Sequence, residues 1–265
     1  MPRKSTLRRE IMRMLEPGEW ISGEGLAEAL GVSRAAVARH MALLRSEGSI
    51  IDAAPRRGYR LVSLADPWEG GDMPQMLRTS CLGKAKWLWL AETDSTALAL
   101  LREALSGAPC GTVAVARHQK EGRGSRGRTW TDMPGCLMSS VLLRPPLKLA
   151  TSRDMLKAAL ACCCGALDAV CGVHAVPKLP NDILLNGRKI GGLLVESLFR
   201  NSDLACAVLG MGINVNVPAA AIPEDLRGKA SSVYAESGRT AGLSALLAAI
   251  LERLEPALLD IAPPA

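Results

Sequence analysis

The chain has 265 residues, enough for two domains, one small and one larger. With 48% hydrophobic and 22% charged residues it can bury a sizeable core, which excludes a disordered chain; at 3% aromatics, aliphatic side chains must fill that core. A net charge of +6 favours anionic partners such as nucleic acid or phosphates, and fits a merely solubilising surplus equally well until the charges are located.

Leu7, Ile11, Met14 and Leu15 recur at helical spacing, and Pro17-Gly18 ends that helix. In "SGEGLAEALG" Ser22 is placed to cap a short helix and Gly31 to stop it. In "VSRAAVARHMALLRSEG" Ser33 is a second N-cap, Val37, Met41 and Leu44 form the buried stripe, and Gly48 ends the helix. Two short helices joined by a tight glycine-containing turn are the helix-turn-helix pattern. "IIDAAPRRGYRLV" follows as a β-ribbon with Arg56 and Arg57 at its tip, a wing. Ala35 and Arg39 face away from the stripe, and Ser33, Arg34 and Ala36 sit in the first turn. Small residues let a helix approach base edges, and arginine supplies base or phosphate contacts. Residues 1–63 carry 11 Lys/Arg and 7 Asp/Glu, hence +4 of the whole surplus. This region reads as a winged helix-turn-helix for DNA, the alternative being one used for packing.

"SLADPWEGGDMPQM" lacks an apolar period and places a linker at 64–80. A second domain is expected over 81–265. In it "KWLWLAET", "TVAVARHQ", "CLMSSVLLRP" and "LACAVLGMGINVNV" read as strands. "STALALLREALSG" and "SRDMLKAALACCCGALDAVCG" read as helices, and a last helix runs roughly from Thr240 to Asp260. Asn186-Gly187 signals a type I′ hairpin. The order suggests an α+β fold around a mixed sheet. No two of the eight cysteines form a C-x-x-C pair, so zinc is poorly supported and reduced thiols are expected. No apolar h-region follows "MPRKSTLRRE" and no apolar run reaches spanning length, so a cytoplasmic protein without a membrane partner is expected.

Two clusters carry chemistry. In "HQKEGRGSRGRTW" and the residue before it, Arg117, Lys120, Arg123, Arg126 and Arg128 gather five positive charges against Glu121 alone, and Gly122, Gly124 and Gly127 permit close backbone approach. Arginine forks match phosphate and carboxylate geometry. Like charges repel, so such a loop should order around an anion; a solvated basic turn is the bland alternative. Neither a phosphate-binding P-loop nor a dinucleotide fingerprint is present. The second cluster is "PKLPNDILLNGRKIGGLLVES". Lys178 stands beside an apolar strand, Gly191-Gly192 clears space for another group, and Glu196 is expected to end the strand.

With "TDST" and "GMGINVN", these stretches resemble the bifunctional biotin protein ligases that also act as biotin-operon repressors, from about residue 5 to about residue 260. The resemblance implies a winged helix-turn-helix followed by a class II synthetase-like biotin ligase catalytic domain with a mixed sheet. It implies a two-step reaction. Biotin's carboxylate attacks the α-phosphate of ATP, giving biotinoyl-5′-AMP and pyrophosphate; a lysine of a biotin carboxyl carrier protein domain then takes the acyl group. It also implies operator DNA and a ligand-induced homodimer as partners, and Mg²⁺ accompanying the triphosphate. By this resemblance Ser95, Thr96 and Gln119 would bind biotin's ureido ring, and Arg123, Gly124 and Ser125 would close over the carboxylate and phosphate. Arg126, Arg128, Trp130, Asn181, Lys189 and Asn214 would surround the nucleotide. Lys178, with Arg123, would act catalytically by bridging carboxylate and α-phosphate.

The sequence departs from the family pattern at four places. Ser125 stands where Arg is usual in the glycine-arginine run, Leu179 where Trp is usual, and Ala97 where Asn is usual. The usual C-terminal SH3-like barrel is not expected after the last helix. A DNA-binding biotin sensor with weak or lost catalysis is the alternative reading, and a lipoate ligase relative a third.

Overall fold

The computed structural model describes residues 10–11, 14–15, 19–46, 49–63, 73–149 and 151–260. The chain divides into two compact units, Met1–Asp66 and Pro67–Ala265. In the first unit, residues 10–11 and 14 are helical, and Ile11 and Leu15 are buried. Leu7, Pro17, Gly18 and Gly48, expected in or at the ends of helices, lie outside the described residues.

Helix α1 (Gly23–Leu30) starts where Ser22 Oγ accepts the Gly25 N–H, and stops at Gly31, whose φ of 62° turns the chain out of the helix. Helix α2 (Arg34–Ser46) follows Ser33, whose Oγ accepts the Ala36 N–H at 3.1 Å. Val37, Met41 and Leu44 of α2 pack with Leu26, Ile51 and Leu61 to form this unit's core. Strands β1 (Trp20–Ile21), β2 (Ile50–Ala54) and β3 (Gly58–Ser63) form an antiparallel sheet in the order β1-β3-β2, with the Pro55–Arg57 turn at the tip of the β2–β3 ribbon.

The second unit begins its described part with α3 (Met73–Met76). Met73 and Leu77, read from the sequence as linker, are buried in this unit's main core. The strands are β4 (Trp87–Thr93), β5 (Val113–Gln119), β6 (Cys136–Leu143), β7 (Val176–Lys178), β8 (Asp182–Leu185), β9 (Arg188–Arg200) and β10 (Asp203–Asn214). They form one seven-stranded sheet in the order β4-β5-β6-β10-β9-β8-β7. Only β4 and β5 are parallel, because α4 (Thr96–Leu105) carries the chain back between them. Asn186 and Gly187 both have positive φ (51° and 78°), the type I′ geometry that joins β8 to β9 in two residues. Strand β9 continues four residues beyond Glu196 to Arg200, so Glu196 is interior to the strand and pairs with Val208; alternation on β9 and its long pairing with β10 carry it past the charge.

Three layers result. Helix α4 packs on β5, β6 and β10 from one face. On the other, α5 (Ser152–Cys171) and α7 (Leu243–Leu258) pack together, and α5 covers β7–β9. Thr151 caps α5 through the Asp154 N–H at 3.1 Å. Cys163, Cys164 and Cys171 are buried in that core, so these thiols act as small apolar fillers. A short helix α6 (Val233–Ser237) follows β10. No helix among the described residues is long and apolar enough to cross a membrane.

Candidate functional site

In the second unit, the ends of β5, β6, β9 and β10, the start of α4 and the glycine-arginine loop enclose a cavity of about 310 Å³. Part of its lining is neutral and polar. The Asp94 carboxylate accepts the N–H of Ser95 and pairs with Arg102, which holds the carboxyl at about 2 and fixes the turn into α4. Next along, Thr96 donates its N–H to Gln119 Oε1 at 2.7 Å, and its hydroxyl lies 3.1 Å from that oxygen and 2.8 Å from Ser140 Oγ. Ser95, Thr96, Gln119 and Ser140 all line the cavity. Ser140 escaped the sequence reading. Its one signal was the pair of hydroxyls, Ser139 and Ser140, in the otherwise apolar strand "CLMSSVLL", of which alternation turns Ser140 towards the cavity.

Four cations, Arg123, Arg128, Lys189 and Lys229, also line the cavity, with no carboxylate among the lining residues. Asn181 and Asn214 line it too, and both are tied: Asn181 Nδ2 donates to Leu193 O at 3.1 Å, and Asn214 Nδ2 to Ser231 O at 2.9 Å. Lys229 was not foreseen, since a lone lysine in "RGKASS" has no distinguishing neighbour. Lys189 pairs with Asp182 at 2.6 Å and lies 5.7 Å from the centre of the Trp130 ring. That indole lies flat on the sheet. A Cβ on Gly212 would come 2.6 Å from its ring, so Gly212 is there to receive it. Trp130 Nε1 is buried without an acceptor.

The glycine-arginine loop is folded on itself. Gly124 N–H donates to Arg128 O at 2.7 Å and Trp130 N–H to Gly122 O at 2.8 Å. Ser125 Oγ accepts Arg128 Nη2 at 2.9 Å. Lys120 pairs with Glu92 at 2.7 Å and Arg123 with Glu196 at 2.6 Å. The charge that looked unopposed is therefore partly met by carboxylates from other elements. Arg123, Gly124, Ser125 and Arg128 line the cavity; Arg126 lines a second hollow on the outer side of the loop, with Glu196. Lys178 is at the far edge of the sheet on β7, exposed, and is not among the lining residues. Among the described residues its ammonium has no ion-pair partner.

In the first unit Ser33, Arg34, Ala35 and Arg39 are exposed on α2, and Ala36 is half-buried behind Ser33. Arg56 and Arg57 are exposed at the ribbon tip, and the Arg57 guanidinium lies 4.4 Å from the centre of the Trp20 ring.

A mixed sheet with a cavity lined by neutral polar and cationic side chains under a glycine-arginine loop, in a chain that also carries a winged helix-turn-helix, defines the class of ligase catalytic domains fused to a DNA-binding unit. A profile of the biotin/lipoate A/B protein ligase family matches residues 89–214, and an HTH domain profile matches residues 7–60. The bifunctional ligase/repressor BirA of Bacillus spizizenii is 32% identical over 238 residues, covering 89% of this chain and 73% of that protein. The protein of the same name from Escherichia coli is 30% identical over 256 residues, covering 96% and 77%. The biotin protein ligase of Aquifex aeolicus in complex with biotin and ATP superposes with a TM-score of 0.57 at 29% identity, over 65% of this chain and 69% of that one. The chain belongs to the biotin/lipoate A/B protein ligase family, in its bifunctional ligase/repressor branch.

Proposed function

We propose that this chain is an ATP-dependent biotin protein ligase and a biotin-responsive repressor. It forms biotinoyl-5′-AMP and transfers biotin to a lysine of a biotin carrier domain. The observation that carries the reading is the lining of one cavity, which combines neutral hydrogen-bonding groups with four cations and no carboxylate. A ureido ring with an apolar tail ending in a carboxylate fits that lining. Ser95, Thr96, Gln119 and Ser140 offer donors and acceptors to the ring. Arg123, with the Gly124 backbone, meets the carboxylate where it approaches the α-phosphate. Two anions brought together in a site that excludes water need fixed positive charge, and that charge is worth most as it develops in the transition state.

Trp130, Arg128, Lys189, Asn181 and Asn214 serve the nucleotide in this reading, with Lys229 added from its position and Arg126 acting from the outer side of the loop. The unpaired Trp130 N–H is a donor for a ligand oxygen. Mg²⁺ supplies charge neutralisation of the triphosphate. Among the described residues no three His, Cys, Asp or Glu side chains converge, so the triphosphate itself would supply most of the ion's ligands. The first unit binds operator DNA through Ser33, Arg34, Ala35, Ala36 and Arg39 of the second helix and Arg56 and Arg57 of the wing, and adenylate binding promotes a homodimer. Incubating the chain with ATP, biotin and a carrier domain tests the enzyme. Biotin-dependent pyrophosphate release and carrier labelling are expected; their absence, or transfer of lipoate in place of biotin, would overturn the reading.

A further inference from the structure

Away from the cavity, two thiols meet. Cys81 precedes β4, and Cys110 lies in the turn from α4 into β5. Cys81 Sγ lies against Gly111, the residue after Cys110, so the two thiols are neighbours. Gly111 makes this meeting possible: at φ 80°, a Cβ there would lie 2.2 Å from the Cys81 carbonyl oxygen and 3.1 Å from Cys81 Sγ. The Gly83 N–H donates to Gly111 O at 2.8 Å and staples the two segments. From behind, the buried Glu255 carboxylate of α7 accepts the N–H groups of Ser80, Cys81 and Leu82 at 2.6, 2.9 and 2.8 Å. Cys110 Sγ accepts the Arg144 N–H at 3.3 Å, and the Arg144 guanidinium is held nearby by Ala104 O and Ala108 O.

Cys81 and Cys110 are half-buried, whereas Cys136, Cys163, Cys164, Cys171 and Cys206 are buried. Cys162, the remaining half-buried cysteine, donates to Arg253 O at 3.4 Å and has no thiol partner placed to accept a bridge, its neighbours in sequence facing other directions around α5. The pair lies at the opposite end of β5 from Gln119, with Cys110 beside Arg144, four residues along the chain from the cavity-lining Ser140 and roughly 13 Å from it by strand length.

We propose that Cys81 and Cys110 form a dithiol modification site for hydroperoxides, Cys110 attacking and Cys81 resolving. The Cys110 thiolate attacks one peroxide oxygen; the O–O bond breaks, hydroxide leaves, and Cys110 becomes a sulfenic acid. The Cys81 sulfur then attacks the Cys110 sulfur, the S–O bond breaks, and the Cys81 proton leaves with the departing hydroxide as water. Two electrons pass from the sulfurs to the peroxide, and a Cys81–Cys110 disulfide remains. The division of labour follows from the surroundings. The neighbouring Cys81 thiol and then the Arg144 N–H and charge pull the Cys110 thiol below the ordinary cysteine range, against burial. The Cys110 sulfur beside it, burial, and the negative charges of Cys110 and Glu255 push Cys81 upward.

The test treats the reduced full chain with hydrogen peroxide and follows it by intact mass and a non-reducing peptide map. The expected result is loss of the mass of two hydrogens, a cross-link joining the Cys81 and Cys110 peptides, and reversal by dithiothreitol. Cys81→Ser should leave a dimedone-trappable sulfenic acid at Cys110. Cys110→Ser should form no cross-link and react with peroxide about tenfold more slowly or worse. Both variants should keep biotin-dependent pyrophosphate release under reducing conditions, which also shows that they fold. A bridge among other cysteines, overoxidation of Cys110 beside a free Cys81 in the unmodified chain, or a Cys110→Ser variant as reactive as the parent would each overturn the proposal. The wild-type peptide map decides alone if a variant does not fold.

Discussion

At the scale of single residues, the cationic lining of the cavity poses the sharpest question. Two lysines of the "KLPNDILLNGRK" stretch compete for the carboxylate and phosphate: Lys189 lines the cavity, paired with Asp182, and Lys178 stands exposed on β7. The proposed catalytic role of Lys178 therefore requires its side chain to swing inward once ligand is bound. Lys178→Ala should lose on the order of a hundredfold in the rate of adenylate formation, measured as biotin-dependent pyrophosphate exchange. Near-normal exchange by that variant, with loss by Lys189→Ala, would transfer the role to Lys189. Ser125 is the second residue to watch. Its hydroxyl receives Arg128, so the loop has exchanged a cationic fork for a short acceptor that positions a neighbouring one. A weaker hold on the adenylate should label bystander proteins, and Ser125→Arg should reduce that labelling. Equal bystander labelling by the two proteins would remove the serine from any role in retention.

At the scale of elements, the glycine-arginine loop rests on what the sheet leaves bare. Gly212 on β10 is where the Trp130 ring lies, so Gly212→Ala must displace the indole. The expected effect is a KM for ATP raised by up to about tenfold with little change in that for biotin. A KM for biotin that rises equally would show that the ring serves both substrates. Helix α7 has a separate duty through Glu255. Burial would push this carboxyl up, but the hydrogen bonds from Ser80, Leu82 and Cys81 outweigh it and hold it below the ordinary glutamate range. A carboxyl that binds its proton less tightly folded than unfolded stabilises fully above about pH 4.3, and that stabilisation is lost as pH falls through the lower folded value. Glu255→Gln should cost about 1–3 kcal/mol near neutral pH, and its deficit against the parent in urea unfolding should shrink as the pH drops below that range.

Much of this level was legible in the sequence. The caps at Ser22 and Ser33, the stop at Gly31 and the Asn186-Gly187 hairpin are local chemistry, and short segments carry them. Glu196 misled because a charge usually marks a strand's end. Here its partner Arg123 comes from a loop more than seventy residues earlier, and no local pattern announces such a pair.

At the scale of the whole molecule, two compact units share one chain, a DNA-binding winged helix and a ligase catalytic unit. Their joint purpose predicts coupling between ligand and operator. If biotinoyl-5′-AMP promotes dimerisation, two winged helices meet the two halves of a two-fold operator. Adding the adenylate should raise the sedimentation coefficient from monomer to dimer and strengthen operator binding by roughly tenfold or more. Unchanged sedimentation together with unchanged operator affinity would separate the two activities.

By itself the sequence determined the winged helix, most strands and the long helices of the second domain, and the family, because caps, turns, periodicity and glycine-arginine spacing are properties of neighbouring residues. Tertiary structure alone decided which charges oppose one another. It set Ser140 and Lys229 on the cavity, left Lys178 at the sheet edge, gave Arg123 to Glu196, and closed Cys81 on Cys110. Each of those depends on strand order and register, and these bring together residues that are far apart along the chain.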